Sequence, residues 1–507
     1  MSAALSSQCV VAVIGAGAMG AGIAQVAAAA GHRVRLLDNQ AGAAARAVSG
    51  IAAQFDKLAA KGKLSAEQAQ AASARLLVAE QLSDLADATL VIEAIVENLQ
   101  VKQKLFCDLE ALVGTDCILA TNTSSISITA IGAALKRPQR LAGLHFFNPA
   151  PLMALVEVVS GLATDAQVGA TLFATAAAWG KTPVHAKSTP GFIVNRVARP
   201  YYAEALRVLT EGGADCATLD ACCREAGGFR MGPFELMDMI GHDVNFAVTR
   251  SVWNAYFCDP RFLPSLMQQE LVDAGFLGRK NGRGFYRYDT QAEKPLPATE
   301  AAQPTPGEIV VYGQSAPACA LAARLSARAV AFTPQSAQGE LLARAGAATL
   351  CVTDGRSATR RAAESATPNT VLIDLALDYA TATRLAISVA AQCAPEAAHA
   401  AVGLLQAAGF AVSTLRDVPG LMVMRTVAML ANEAADAVNQ GVCDVAAVDT
   451  AMRLGVNYPQ GPLAWANAMG VAQVGTVLGH LADTYGEDRY RTSPLIQHHI
   501  YAAKAFA

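Results

Sequence analysis

The apolar positions of this chain follow two kinds of pattern, and their alternation predicts an architecture. Short, nearly all-apolar runs at Val10 to Ile14, Val34 to Leu37, Leu90 to Glu93, Cys117 to Thr121 and Arg140 to His145 read as strands, separated by Ala-rich helical segments. That alternation predicts a parallel, doubly wound sheet. From Thr189 the period lengthens, with Val194, Val197, Tyr201, Ala205 and Val208 spaced by three and four residues, which predicts a helical domain. Gln291 to Gly307 carries Pro295, Pro297, Pro304 and Pro306 without an apolar period and reads as a linker. Strand patterns return at Ile309 to Tyr312, Thr349 to Thr353, Thr370 to Asp374 and Leu385 to Val389, again between helical segments.

An internal repeat organises these pieces. Pro190, Gly191, Val194, Arg196, Glu204, Gly212, Asp215, Asp220, Arg224, Gly232, Pro233 and Gly241 recur without a gap as Pro419, Gly420, Val423, Arg425, Glu433, Gly441, Asp444, Asp449, Arg453, Gly461, Pro462 and Gly470. The expected order is an α/β domain over residues 1–188, a helical domain over 189–290, a linker over 291–307, a second α/β domain over 308–416 and a second helical copy over 417–507. One two-domain module is read as doubled.

Composition narrows the class. The chain has 507 residues, enough for about three to five folding units, with 53% hydrophobic and 16% charged residues. That excludes disorder for the bulk. No run of about 18 strongly apolar residues reads as a membrane span, and Met1 to Gln8 has no signal-peptide pattern, so a soluble, cytoplasmic protein is expected. The formal net charge of -3 gives no general attraction for nucleic acid or an anionic membrane. The 11 cysteines include no CxxC pair, so reduced thiols and no metal site are expected.

Candidate chemistry begins at the first strand. Gly15, Gly17 and Gly20, with Ala18 and Met19 between the last two, form GxGxxG between a strand and a helix expected over Met19 to Ala30. Gly15 suits the tight turn, Gly17 lets backbone approach a pyrophosphate, and Gly20 permits close helix packing. Asp38, at the end of the next strand, suits the adenosine ribose hydroxyls and repels a 2'-phosphate, so NAD is expected rather than NADP. In the second half Gly313, Gln314, Ser315, Ala316 and Pro317 keep one glycine only, and side chains would obstruct a diphosphate. His145, at a strand end, and Glu157, enclosed in the apolar segment Leu155 to Val159, suit either an acid-base pair or a structural histidine with a partner. Asn122, Thr123, Ser124 and Ser125 follow a strand at the sheet edge where ligands collect, with helix capping as their alternative role.

These residues resemble the L-3-hydroxyacyl-CoA dehydrogenases. The likeness rests on Gly15 to Gly20, Val96-Glu97-Asn98, Asn122 to Ser125, Gly143 to Pro149, Pro190 to Arg196, Met231 to Glu235 and Gly278 to Tyr286, in order over residues 9 to 288. The doubled arrangement resembles the bacterial members of phenylacetate catabolism, whose family substrate is 3-hydroxyadipyl-CoA. The resemblance implies a Rossmann-type NAD-binding domain with a helical domain, then a degenerate Rossmann-like domain with a second helical copy. It further implies NAD-dependent oxidation of a (3S)-3-hydroxyacyl-CoA thioester, with 3-hydroxybutyryl-CoA or broad-chain substrates as the alternative. A non-catalytic NAD-binding sensor or scaffold is the competing reading of another class, and the constellation Ser124, His145, Glu157 and Asn195 argues against it. Residue by residue it makes His145 the base, Glu157 its orienting carboxylate, and Ser124 and Asn195 the polar groups at the reacting oxygen. It assigns Glu97, Lys102, Asn148 and Lys280 to the NAD side and Lys61 to coenzyme A phosphate. Met424 replaces Asn195 in the repeat, so the second module is expected to be inactive. The two helical copies are expected to form a pseudo-dimer within the chain, with homo-oligomers left open. Arg230, beside Met231 to Phe234, is the candidate partner for the distal carboxylate of an adipyl chain, against surface pairing with Glu225 or Asp238.

Overall fold

The computed structural model describes residues 3–289 and 293–507. Residues 291 and 292 of the expected linker lie outside the described residues, as does residue 290 at the end of the expected helical domain. The chain divides into two compact units, Met1–Arg196 with Gln440–Val456, and Val197–Asn439 with Asn457–Ala507.

The first unit is built on eight strands: β1 (Val10–Ile14), β2 (Arg33–Leu37), β3 (Leu76–Val78), β4 (Leu90–Glu93), β5 (Ile118–Thr121), β6 (Leu141–Phe146), β7 (Leu155–Ser160) and β8 (Thr182–Lys187). They lie in the order β3-β2-β1-β4-β5-β6-β7-β8. The reversal of strand order between β1 and β4 opens a crevice at their carboxyl ends, where ligands of such sheets bind. Strands β1, β4, β5 and β6 are buried along their whole length, as their apolar runs require. The expected all-parallel sheet needs one correction: β6 and β7 pair antiparallel. Their connection, Phe147 to Ala154, is too short for a parallel crossover. That reversal places His145 directly opposite Glu157 in the ladder.

The second unit holds the sheet of β9 (Ile309–Tyr312), β10 (Thr333–Gln335), β11 (Leu341–Ala345), β12 (Ala348–Val352), β13 (Thr370–Ile373), β14 (Arg384–Val389) and β15 (Ala411–Thr414), ordered β10-β9-β11-β12-β13-β14-β15. Helices flank it in sequence, among them Arg199–Thr210, Cys216–Glu225 and Pro233–Ile240 before, and Val423–Asn439, Pro462–Met469 and Val471–Tyr485 after. Carboxylates pin these helices. Asp220 accepts the N–H groups of Phe234 (2.9 Å) and Glu235 (3.0 Å) at the start of Pro233–Ile240. Asp238 accepts those of Phe285 and Tyr286, both at 2.9 Å. A side chain at Gly278 or Gly284 would collide with Asp238, which explains these two glycines of the Gly278 to Tyr286 run as a folding device.

Among the described residues no helix is long and apolar enough to cross a membrane. Among the same residues no group of three or more His, Cys, Asp or Glu could hold a metal ion.

Candidate active site

The crevice starts at the glycine loop. Gly15 sits at φ +101°, and a Cβ there would strike the backbone of Ala94. At Gly20 a Cβ would strike the carbonyl of Gly15. Gly17 is different, because a Cβ there would enter open space. That space lies at the N-cap of the helix Ala18–Ala29, which has no side-chain cap. The helix thus keeps its first-turn N–H groups for an anion. Asp38 follows β2 and accepts the N–H groups of Ala16 (Oδ2, 2.6 Å) and Gln40 (Oδ1, 2.8 Å). One side chain therefore shapes the phosphate loop and presents a carboxylate beside it. These residues fit a dinucleotide.

The equivalent loop of the second unit does not. Gly313 keeps a positive φ of +73°, but Ser315 caps its own helix by accepting the Ala318 N–H at 3.4 Å, and Pro317 has no N–H to offer. A cavity of about 520 Å³ beside this loop is lined by Leu341, Leu375, Met424 and Trp465 together with the carboxylates of Glu340, Asp354 and Asp378. A helix start already capped by its own serine and an apolar lining are a poor match for a diphosphate.

The imidazole–carboxylate pair is closed. His145 Nδ1 lies 2.6 Å from Glu157 Oε2, with His145 6% and Glu157 0% exposed. The other oxygen, Oε1, accepts the N–H groups of Ile193 and Val194, both at 3.0 Å. A buried carboxylate needs such partners. Gly191 (φ +75°) and Phe192 (φ +47°) bend the chain so that these N–H groups meet it. The rings of Phe147 and Phe192 flank the imidazole at centroid distances of 4.5 and 5.9 Å. Both phenylalanines went unremarked as site residues in the sequence. Their signal was their adjacency to His145 and to the Pro190-Gly191 pair.

Ser124 and Asn195 join through the Asn195 side-chain amide, which donates to the Ser124 carbonyl at 3.5 Å. Asn122 Oδ1 accepts the Phe146 N–H at 2.8 Å and fixes the end of β6. Glu97 gathers the next loop, accepting from the hydroxyls of Thr123 (2.5 Å) and Ser125 (3.0 Å) and from the Ser124 N–H (3.1 Å). Burial raises the Glu97 carboxyl, but these hydroxyls and the Lys102 ammonium outweigh it and hold it below its ordinary value. Lys102 is itself 1% exposed, with Nζ 2.5 Å from Glu93 and 3.2 Å from Glu97. Glu93, fully buried at the end of β4, also accepts from Thr121 Oγ1 at 2.7 Å. Sequence reasoning missed Glu93. A carboxylate closing the apolar run Leu90-Val91-Ile92 was the available signal.

The remaining candidates are not brought into this cluster by any hydrogen bond. Lys61 is exposed at the end of the helix Ala43–Ala60, and Asn148 is exposed before a cis bond to Pro149. Lys280 and Arg230 belong to the second unit, where Lys280 is paired with Asp243 and Arg230 is exposed. Glu225 is engaged by Arg384 at 3.1 Å and Asp238 by His242 at 2.7 Å, so neither is the partner foreseen for Arg230.

A glycine cradle for a dinucleotide and a buried imidazole–carboxylate pair at the same sheet edge define an NAD-binding dehydrogenase. The family model of the 3-hydroxyacyl-CoA dehydrogenase NAD binding domain matches residues 10–189, and that of the C-terminal domain matches both 191–288 and 420–505. A third, the 3-hydroxybutyryl-CoA dehydrogenase reduced Rossmann-fold domain, matches residues 350–419. The chain belongs to the 3-hydroxyacyl-CoA dehydrogenase family. It is 46% identical over 489 residues to the 3-hydroxyadipyl-CoA dehydrogenase of Escherichia coli K12, covering 96% of each chain. The crystal structure of a 3-hydroxybutyryl-CoA dehydrogenase from E. coli K12 superposes with a TM-score of 0.89 at 44% identity, over 98% of this chain and 99% of that one. A probable 3-hydroxybutyryl-CoA dehydrogenase of Deinococcus radiodurans is 42% identical over 276 residues, which is 54% of this chain and 99% of that protein.

Proposed function

We propose that the protein is an NAD-dependent (3S)-3-hydroxyacyl-CoA dehydrogenase acting on 3-hydroxyadipyl-CoA, with the chemistry confined to its first module. The observation that carries this reading is the closed hydrogen bond between His145 Nδ1 and Glu157. Because Glu157 accepts the proton at Nδ1, the neutral imidazole presents its lone pair at Nε2. His145 Nε2 takes the proton of the substrate's C3 hydroxyl as that carbon becomes a carbonyl. When bound, oxidised NAD supplies the acceptor for the hydride that leaves C3. The imidazolium formed is stabilised by the anionic Glu157, which the Ile193 and Val194 N–H groups keep in place. Ser124 and Asn195, linked to each other, are the polar groups we assign to the reacting oxygen. Gly15, Gly17, Ala18, Met19, Gly20 and Asp38 hold the diphosphate and ribose. Glu97 and Asn148 serve the cofactor side, and the enclosed Lys102 acts there through Glu97. Lys61 is our assignment for a coenzyme A phosphate.

The second module we read as a duplicate that has lost the chemistry. Extending the gap-free repeat toward the N-terminus pairs His145 with Asp374 and Glu157 with Ala386. Strand pairing supports this, since the Asp374 N–H donates to the Ala386 carbonyl at 2.9 Å. Asp374 accepts four backbone N–H groups, those of Leu375 (2.8 Å), Met422 (3.0 Å), Val423 (2.8 Å) and Met424 (2.9 Å). The carboxylate holding the following helix has moved from the Glu157 strand to the His145 position, so no imidazole stands there and the carboxylate is taken up by backbone N–H groups. The pseudo-dimer reading is supported within the second unit. There Arg425, fully buried, reaches Glu204 of the first helical copy at 3.0 Å and Tyr490 at 2.7 Å.

The adipyl preference requires a partner for a carboxylate that loses its water. Arg230 is exposed, and Pro459 stands at its repeat counterpart, so the duplicated fold does not demand arginine there. The Arg230→Leu variant is expected to raise KM for 3-hydroxyadipyl-CoA about tenfold or more while leaving 3-hydroxybutyryl-CoA nearly unchanged, the cost of losing one charged hydrogen bond. Steady-state kinetics on both thioesters decides it, and equal effects on the two would return the acyl preference to other residues.

A further inference from the structure

The first unit contains a segment that does not belong to it in sequence, Gln440–Val456 from the second helical copy. Its attachment is specific. The Val442 carbonyl accepts the Lys187 N–H at the end of β8 at 2.9 Å, and Gln440 Oε1 accepts from the buried guanidinium of Arg196 at 2.9 Å. The helix Val445–Gly455 then runs against β7 and β8 and ends at Gly455.

Gly455 has an ordinary backbone, outside the positive-φ region, so conformation alone does not require glycine. Its surroundings do. A Cβ at Gly455 would lie 2.7 Å from Leu155 Cδ2, 3.0 Å from Val194 Cγ2 and 3.6 Å from Phe147 Cε1. Each of these three residues bears on the dyad. Leu155 is two residues before Glu157 on β7 and shares its face. Val194 donates its N–H to Glu157. Phe147 packs its ring on His145. The second unit shows the reciprocal exchange, with the Arg416 N–H donating to the Gly213 carbonyl at 2.9 Å. These are the repeat counterparts of Lys187 and Val442. There, however, the counterpart of Gly455 is Ala226, so the helix accommodates a side chain at that point.

We infer that the second helical copy supplies the back wall of the first module's catalytic pair and that Gly455 is a positioning residue for His145 and Glu157. This rests on the proposed role of the pair. The duplicated half is then retained for catalysis although it performs none: it leaves room for Leu155, Val194 and Phe147 to hold the imidazole and its carboxylate in register.

The test uses the full-length chain with Gly455→Ala and Gly455→Val, and Arg453→Ala on the exposed face of the same helix as control. The expected result is a graded loss of kcat, about tenfold or more for Gly455→Val, with KM for NADH unchanged and a displaced pH–rate profile. Adding Leu155→Val to Gly455→Ala removes the nearest obstructing methyl and is expected to restore most of kcat. The His145 ring titration, followed by NMR and assigned with His145→Gln, gives a readout independent of turnover and is expected to shift in Gly455→Ala. Wild-type kcat and titration in both Gly455 variants would overturn the inference. So would a loss shared equally by NADH binding and not relieved by Leu155→Val. An unchanged His145 titration refutes it even if the wild type proves to have another substrate, which separates this failure from failure of the proposed activity.

Discussion

Asp38 has both of its oxygens engaged by the N–H groups of Ala16 and Gln40. A carboxylate has about four acceptor positions, so this engagement leaves room for ribose hydroxyls. Two roles, shaping the loop and reading the ribose, are therefore carried by one residue, and two substitutions separate them. Asp38→Ala removes both and is expected to weaken NADH binding about ten- to a hundredfold while narrowing the preference over NADPH, since hydrogen bonds to a charged group are worth about 1.5 to 3 kcal/mol. Asp38→Asn keeps one of the two N–H contacts but loses the charge that repels a 2'-phosphate, so it is expected to narrow the preference more than it lowers affinity. Fluorescence titration with both cofactors checks this. Equal use of NADH and NADPH by the wild type would remove Asp38 from cofactor choice.

Among the elements, the helix Val423–Asn439 is fastened at its start by Asp374, which accepts the N–H groups of Met422, Val423 and Met424 besides that of its own neighbour Leu375. Asp374→Asn presents an amide NH₂ to donors and leaves about two buried N–H groups unpaired. At about 1 to 3 kcal/mol each, the expected destabilisation is about 2 to 6 kcal/mol, seen as a lower urea midpoint. An unchanged midpoint would mean the N–H groups find other partners. The strands nearest the chemistry were legible in the sequence: Val10 to Ile14 and Leu90 to Glu93 are bounded as their apolar runs suggest. Strands with little buried surface were not. Thr333–Gln335 is exposed throughout, and Thr182–Lys187 buries only Val184 and Ala186 and contains Pro183, so neither carries an apolar run. The direction of β7 was also illegible, because an apolar run encodes burial and not polarity. The pairing of His145 with Glu157 depends on that direction. In the sequence the two residues were candidates for each other only by type and by family resemblance.

For the molecule as a whole, the grouping of Gln440–Val456 with the first sheet departs from sequence order. The repeat was readable from its glycines, prolines and charged residues, whereas the contact of Gly455 with residues around Glu157 has no local signature, since it joins positions hundreds of residues apart. The reading of the chain as a duplicated dehydrogenase with one working centre stands or falls at His145. The most direct measurement follows NADH absorbance at 340 nm with NAD and (3S)-3-hydroxyadipyl-CoA or 3-hydroxybutyryl-CoA, in wild type and His145→Gln. The account predicts that wild type forms NADH, with the adipyl thioester preferred. It also predicts that His145→Gln keeps NADH affinity while kcat falls about 10² to 10⁴-fold, the usual contribution of a positioned acid-base group. A His145→Gln variant with near wild-type kcat, or a wild type that binds NADH yet turns over neither thioester, would contradict it.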